Sequence, residues 1–270
     1  IKNCTGVASV DGSGSAGLLI TTYFASGSTA NIHDNEFNGN SVGIAVGYSA
    51  SDTSSVVVEY NKLLNNDYAI TTTAPEVDGS PNWFGTLAGP QPGILDGDVV
   101  YNPWCADAAC TEFLPAAVTI APVAPVVCGN TPTTTIEINV AGIPTSAPLQ
   151  GYQFRLHFDE TKTSIANLAT DIVNGGFVAN GGFLVVNYID ETTGAIVTGP
   201  TGLIDVAYTQ FTPSTSIGNG KLASVKLTHL GIAGDIALSL TDVLLSDRDG
   251  FPIPSEASAT ATTLSLTPAV

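Results

Sequence analysis

Two stretches of the chain repeat at a fixed interval: "NEFNGNSVGIAV" (residues 35–46) returns as "NKLLNNDYAITT" (residues 61–72). Ile32 and Val58, Asn35 and Asn61, Phe37 and Leu63, Asn40 and Asn66, and Ile44 and Ile70 are each 26 residues apart. An interval between about 20 and 50 residues marks stacked supersecondary units, none of which can cover its own apolar face alone. An earlier copy is expected in "GLLITT" (residues 17–22), with Leu18 and Ile20 preceding Ile44 and Val46 by the same 26 residues. In the irregular first coil, Asn3 is the expected counterpart of the repeated asparagines.

Inside each unit apolar residues alternate over short runs, and Asn and Gly recur too often for a helix, so short strands joined by sharp corners are predicted. Asn35, Asn61, Asn40 and Asn66 are then structural residues. Asparagine tolerates the left-handed corner conformation, and its amide can hydrogen-bond the equivalent amide one coil away. Gly43, replaced by Ala69 in the next copy, is expected to leave room for the backbone at a corner.

This pattern resembles the right-handed parallel β-helix repeat proteins, which include carbohydrate-active enzymes and many surface proteins. The resemblance covers residues 1–104. Its most specific part is "NWFGTLAGPQPGILDGDVVYNPW" (residues 82–104), similar to the Asn-Trp-Trp-Gly, Gly-Pro and Tyr-x-Pro-Trp sequence that closes many such solenoids, with Phe84 in place of the second Trp. In that reading Trp83, Phe84, Tyr101 and Trp104 cover the apolar end of the last coil, and Gly89-Pro90 turns the chain.

From Pro115 the texture changes to alternating runs bounded by Gly, Pro or Asn, such as "TTTIEINVAG", "LQGYQFRLHFD" and "GLIDVAYTQF". Seven or more strands at this spacing predict a two-sheet antiparallel sandwich. Tyr152, Phe154, Leu156 and Phe158 should face its core, with Gln153, Arg155 and His157 outward. The order of "GYQFRLHFDET", "GNGKLASVKL" and "LLSDRDGFPIP" resembles the cohesin-like family over residues 118–268. That resemblance implies adhesion between extracellular proteins, and in the family at large the binding of dockerin modules; no dockerin-type repeat occurs in this chain. The expected architecture is therefore all-β: parallel β-helix coils with an aromatic cap over residues 1–114, then a cohesin-like sandwich over residues 115–270.

Seven basic against 24 acidic residues give a net charge of −17, which repels phosphate backbones and anionic membrane surfaces, so nucleic acid is excluded as a partner class. Membrane insertion is not expected, since no run of 18 or more apolar residues exists. Cys4, Cys105, Cys110 and Cys128 allow three pairings; the close pair Cys105–Cys110 in "CADAAC" is the first choice, and four buried free thiols is the alternative. A disulfide there suits an oxidising, extracellular or cell-surface setting.

The residues offer little chemistry. The first half holds Lys2 and Lys62 as its cations, and no arginine precedes Arg155, which leaves a lyase acting on a polyanionic sugar without a grip. Asp96 and Asp98, two apart, would share one side of a strand and are the best hydrolase pair, yet Asp beside Gly is ordinary turn chemistry. His33, His157 and His229 are scattered in a spacing suited to neither a metal nor a triad. Asp247 and Asp249 in "DRDG" are the one metal candidate, for Ca²⁺ with Glu256. Pro252 and Pro254 intervene, so a plain turn is the expected reading, and no cofactor is assigned.

The first expectation is thus a non-catalytic extracellular structural protein. Ile1 begins inside the coil pattern with no polar cap ahead of it, so the leading edge should recruit strands, from missing upstream coils or from another copy. Head-to-tail contacts that do not close would yield a homopolymer: a fibre, sheath or surface layer. The alternatives are an adhesion module that binds a surface protein or glycan, and a fragment of a glycan-degrading enzyme.

Overall fold

A computed structural model describes residues 1–5, 15–22, 27–73, 76–121, 126–127, 133–179, 181–258 and 261–267. They are almost entirely β, with one four-residue helix at Leu168–Asp171, and the chain divides into two compact units, Ile1–Pro115 and Ala116–Val270. Cys128 lies outside the described residues.

In the first unit the strands are β1 (Ala16–Ile20), β2 (Thr29–His33), β3 (Glu36–Asn38), β4 (Val42–Val46), β5 (Ser55–Glu59), β6 (Lys62–Leu64), β7 (Tyr68–Thr72), β8 (Val77–Asp78), β9 (Leu95–Asp96) and β10 (Val99–Val100). They stack as three parallel faces: β1-β4-β7-β9, β2-β5-β8-β10, and β3-β6, the last extended by bridges from Lys2 to Asn38 and from Lys62 to Trp83. This is a parallel β-solenoid of four levels among the described residues. The register reproduces the 26-residue interval, pairing Leu18 with Ile44, Ile32 with Val58, Phe37 with Leu63, and Ile44 with Ile70. Toward the trailing end the interval shortens: Val57 pairs with Asp78 and Ile70 with Leu95. The link from β7 to β8 is shorter there than the eight-residue link Gly47–Ser54 between β4 and β5.

Three expectations about the corners are corrected. First, the left-handed corner residues include Asn3, Asp34, Gly39, Tyr60 and Asn65, of which Asn3, Asp34, Gly39 and Tyr60 each directly precede a position whose backbone N–H meets the amide of the next level; the repeated asparagines themselves are not left-handed. Corner-bending and amide-stacking therefore fall to neighbouring residues, because the left-handed step turns the next side chain inward. Second, the counterpart of Asn40 and Asn66 at the leading level is Cys4, whose N–H donates to Asn40 Oδ1 at 2.9 Å; Asn3 occupies the preceding left-handed position, level with Gly39 and Asn65. Third, Gly43 lies within β4 and not at a corner. A Cβ there would sit 2.6 Å from the carbonyl oxygen of Ala69, so glycine serves close approach of two levels.

The inward amides form two ladders. Asn61 Oδ1 accepts from the Asn35 backbone N–H at 3.0 Å, while Asn61 Nδ2 donates to the carbonyls of Ile32 and Glu59 at 2.7 and 2.8 Å. Asn82 repeats the arrangement one level on: its Oδ1 accepts from Asn61 N at 2.9 Å and its Nδ2 donates to the carbonyl of Val58. In the second ladder Asn66 Oδ1 accepts from Asn40 N at 3.0 Å, and Asn66 Nδ2 donates to the carbonyl of Phe37 at 3.0 Å. Each amide thus satisfies corner backbone groups that no strand partner can reach.

Asp52, 5% exposed, ties the β4–β5 link to the residues that follow β1. Its carboxylate accepts from Thr21 Oγ1 at 2.8 Å and from the backbone N–H groups of Thr22 and Ser54 at 2.9 and 2.8 Å. Burial alone would raise its pKa; the hydrogen bonds from these groups together outweigh that and hold it well below the usual carboxylate range.

At the trailing end Phe84 and Trp104 are buried, and Trp104 Nε1 donates to the carbonyl of Leu87 at 3.1 Å. Gly89 lets this ring lie flat, since a Cβ there would come within 2.6 Å of it. Trp83 is half-buried at its strand position, and Tyr101 is 40% exposed beside Trp104, so Tyr101 is not part of the cover. Cys105 and Cys110 are disulfide-bonded, the expected close pair, and Cys4 is a free thiol.

The second unit is a sandwich of a six-stranded and an eight-stranded sheet. The first runs Thr163–Ser164, Gly218–His229, Thr133–Ile143, Ala116–Ile120, Ser255–Ala257, with Ile172–Asn174 also paired to Gly218–His229. The second runs Val126–Val127, Thr262–Thr267, Gly234–Asp247, Leu149–His157, Leu203–Gln210, Gly182–Ile189, Ile196–Val197, with Pro252–Ile253 beside Gly234–Asp247. Pairing is antiparallel apart from Ala116–Ile120 with Ser255–Ala257 and Val126–Val127 with Thr262–Thr267. Tyr152, Phe154, Leu156 and Phe158 are buried as the alternation predicts, together with Ile136, Ile138, Val225 and Leu227 of the other sheet.

Two stability outcomes follow. Asn61→Ala strands the Ile32 and Glu59 carbonyls and the Asn35 N–H, and should cost about 3 kcal/mol in denaturant unfolding, whereas Asn35→Ala, at an exposed position, should cost under about 1 kcal/mol. Asp52→Asn places an amide donor among donors and should cost about 1–2 kcal/mol at neutral pH. The Asp52 contribution is complete above its unfolded pKa of about 3.9 and is lost as pH falls through the lower folded value, so the unfolding free energy of the unmodified chain should drop more steeply below about pH 4 than that of the variant.

Candidate functional site

Two surfaces are built in ways that folding alone does not require. The first is the leading level of the solenoid. Leu18 and Ile20 stand in the inward rows above Ile44 and Val46, yet they are half-buried, while Ile44, Val46 and Ile70 are 0–1% exposed. The ladder shows the same step: Asn35 is exposed, and Asn61 and Asn82 are 0% exposed. β1 and β2 are the edge strands of their sheets, with one side of each backbone not paired to another named strand. Lys2 and Glu36 close the third face with an ion pair at 2.7 Å, and Lys2 beside the carboxylate, with help from Asn38, holds Glu36 below its ordinary pKa.

The second surface is the outer face of the eight-stranded sheet. The register sets Phe183, Thr209, Gly151 and Ser246 in one row, and Val185, Ala207, Gln153 and Leu244 in the next. Gly151 and Ala207 keep the middle of the face low, leaving a hollow of about 330 Å³ whose walls include Leu244 and Pro252. Phe183 and Leu244 are each 60% exposed, and Phe251, in the adjoining turn, is 65% exposed. Below this apolar part Arg155 pairs with Asp242 at 2.7 Å and faces Asp205, which accepts from Gln153 Nε2 at 3.1 Å. A bulge puts Asp242 there: the register shifts between Gln153 and Arg155, and Asp242 is left-handed. Apolar side chains beside a fixed ion pair suit recognition by a protein surface.

The other sequence candidates lie apart. Asp247 Oδ1 accepts from the backbone N–H groups of Asp249 and Phe251 at 2.9 and 2.8 Å, closing a turn completed by left-handed Gly250. Glu256 is in a strand of the other sheet, level with Ala117. Among the described residues no three His, Cys, Asp or Glu side chains gather in a way that could hold a metal ion. Asp96 ends β9 and Asp98 lies beyond the bend at left-handed Gly97, so the two do not share a strand, contrary to the hydrolase expectation. His33 contacts Asp34 at 2.8 Å, His157 contacts Thr241 at 2.9 Å, and His229 contacts Thr134 at 2.9 Å, in three separate places. No described helix is long and apolar enough to cross a membrane.

Sequence reasoning missed Asn82, which it placed in the closing motif; the signal was present in the Asn-aromatic pairing, but the 21-residue step from Asn61 hid it from a fixed interval. It also missed Asp52, whose anchoring role depends on a loop meeting the next loop.

No family model and no curated protein matches the chain. Solved structures similar to it include cohesins. A non-cellulosomal cohesin from the hyperthermophilic archaeon Archaeoglobus fulgidus aligns over 57% of this chain and 91% of its own, at 14% identity and a TM-score of 0.40. The cohesin–dockerin complex Coh-OlpC–Doc435 from Clostridium thermocellum contributes a chain aligned over 59% of this one and 97% of its own, at 11% identity and a TM-score of 0.43. A cohesin module of a Clostridium perfringens family 33 glycoside hydrolase aligns over 57% and 98%, at 14% identity and a TM-score of 0.41.

Proposed function

We propose that this chain is a non-catalytic extracellular structural protein that assembles with copies of itself, head to tail, into a fibre, sheath or surface layer. The observation that carries the reading is the leading level of the solenoid, where Leu18 and Ile20 are half-buried and Asn35 is exposed although their equivalents one level on are wholly buried. β1 and β2 each have one side not paired to another named strand, so a strand from another copy would continue both sheets. Such a contact is heterologous and need not close, which is the geometry of a filament. The Cys105–Cys110 disulfide supports an oxidising, extracellular or cell-surface location.

The test is assembly of the purified chain. Electron microscopy and sedimentation should find polymers that grow with concentration. The double substitution Leu18→Lys and Ile20→Lys, at positions already half open to water, should leave the chain folded and disperse them. Monomers at high concentration, or polymers indifferent to the substitutions, would refute end-to-end stacking.

A second reading is favoured by the sandwich face: a binding module for a partner protein or surface glycan, held through Phe183, Leu244 and Phe251. Substituting Phe183 and Leu244 by Asp should cost about 2–4 kcal/mol of partner affinity in a titration while changing stability by under about 1 kcal/mol. Unaltered capture of every bound partner would remove this face from consideration.

A further inference from the structure

The strands that end the two sheets of the sandwich are short: Thr163–Ser164, Ser255–Ala257, Val126–Val127 and Ile196–Val197. A short terminal strand is one of the devices that blunt a sheet edge. Ile196–Val197 does so incompletely. It pairs only with Tyr188 and Ile189, whereas Gly182–Ile189 is paired on its other side to Leu203–Gln210 from Gly182 to Tyr188. From Gly182 to Asn187 the outer side of that strand is joined to no named strand, and the sequence "GFLVVN" brings neither a charge nor a proline to protect it. The register with Leu203–Gln210 runs without a bulge, so no kink turns the edge aside.

The hairpin shows which backbone groups face this edge. Asp190 N–H donates to the Ala195 carbonyl at 2.9 Å, and the Asp190 carbonyl accepts from Gly194 N–H at 2.8 Å, so both groups of Asp190 point to the Ile196–Val197 side. Residues alternate in this direction along a strand, which points the N–H and carbonyl of Leu184 and Val186 the same way. The side chains of Leu184 and Val186 face inward, because their register partners Tyr208 and Val206 are 5% and 0% exposed. They are nevertheless half-buried, and with Leu168 and Ala169 of the four-residue helix they line an apolar hollow of about 350 Å³. Backbone donors and acceptors thus lie next to room for aliphatic side chains, the two requirements for adding a strand.

The strand that suits the hollow is this strand itself: it is uncharged and carries aliphatic side chains at alternate positions on one face. We propose that Gly182–Asn187 pairs antiparallel with the same segment of a second copy, about a two-fold axis at Val185, joining two eight-stranded sheets into one. For the inward faces to stay on one side, opposed residues must have the same parity, so the axis passes through a residue and not between two. Centring on Val185 opposes Leu184 to Val186 and Phe183 to Asn187 of the second copy. Centring on Leu184 would draw on Gly182, whose N–H already donates to Tyr208 Oη at 3.0 Å. In the Val185 register Leu184 and Val186 exchange hydrogen bonds across the axis, and each copy sets these two side chains beside the other's hollow. Asp190 and Glu191 lie beyond the paired span and oppose no carboxylate. The contact is isologous, closes at two subunits and is independent of end-to-end stacking.

The test uses the full chain carrying Leu18→Lys and Ile20→Lys, so that end-to-end stacking does not contribute. A contact one strand wide belongs to the weak class, and sedimentation should show monomer passing to dimer within about 0.1–1 mM. Val185→Cys, with Cys4→Ser and Cys128→Ser, is the decisive variant. Val185 would meet itself as a non-hydrogen-bonded pair with Cα atoms about 4.5 Å apart, a distance that a disulfide spans. Mild oxidation should cross-link it about tenfold or more faster than Asn187→Cys in the same background, whose two copies would lie about 14 Å apart. Val186→Lys places a charge in the hollow and should abolish the dimer with little change in melting temperature. Should that variant fail to fold, the comparison of the two cysteines decides. Monomers throughout the concentration range, equal cross-linking of the two cysteines, or dimers indifferent to Val186→Lys would overturn the pairing. So would an unrelated apolar peptide that occupies the edge of a chain that stays monomeric. With stacking removed beforehand, neither result bears on the end-to-end reading.

Discussion

The solenoid half depends on one interaction: a buried carboxamide that accepts from the backbone of the level before it and donates to two corner carbonyls. Strand hydrogen bonds hold the faces together, but at a corner the backbone turns away from the sheet direction and its polar groups would be left buried and unpaired. A buried asparagine at the corner supplies an acceptor and two donors at the required height. Asn61 and Asn82 exhaust that capacity, and so tie each level to its neighbour as well as to its own bend. This couples the corners to the stack. Among the described residues the leading amides differ from those that follow: Asn40 Oδ1 still accepts from Cys4 N, while Asn35 is exposed.

That end effect links the fold to the assembly proposal. An apolar row of Leu18, Ile44 and Ile70 is stabilising in proportion to its cover, and Leu18 at the leading end is half-buried where Ile44 and Ile70 are fully buried. Aromatic burial of Phe84 and Trp104 at the other end shows how the chain closes a level when it does so with its own side chains. The sandwich half solves its edges differently. Its long strands alternate inward and outward with a regular pleat, its core is filled by Tyr152, Phe154 and Leu156 against the other sheet's Ile and Val, and its outward apolar residues gather around the low positions Gly151 and Ala207.

The sequence and the structure agree most closely where a period is involved. The 26-residue interval fixed the register of β1, β2 and β3 with their successors because a parallel stack transmits spacing directly into pairing. The alternation in "YQFRLHF" fixed which side chains are buried because the pleat has period two. The reading failed where two jobs could be assigned to one residue. Corner and ladder roles were merged onto the same asparagines, since both favour Asn, and Asn3 was preferred to Cys4 on residue type alone. Gly43 was placed at a corner because glycine is common there; its true constraint is an oxygen on the next level, a contact that no local pattern records.

By itself the sequence determined the all-β class, the repeat and the change of texture near Pro115, since each is a property of spacing or composition along the chain; for the cysteines it offered the nearest pair as first choice among three, and the structure made the choice. Tertiary structure alone decided which residue at each corner carries the strain and that Asp52 anchors one loop to another. Those are relations between segments far apart in sequence, and the energy that selects them comes from desolvated polar groups finding partners across levels, which becomes visible once the levels are stacked.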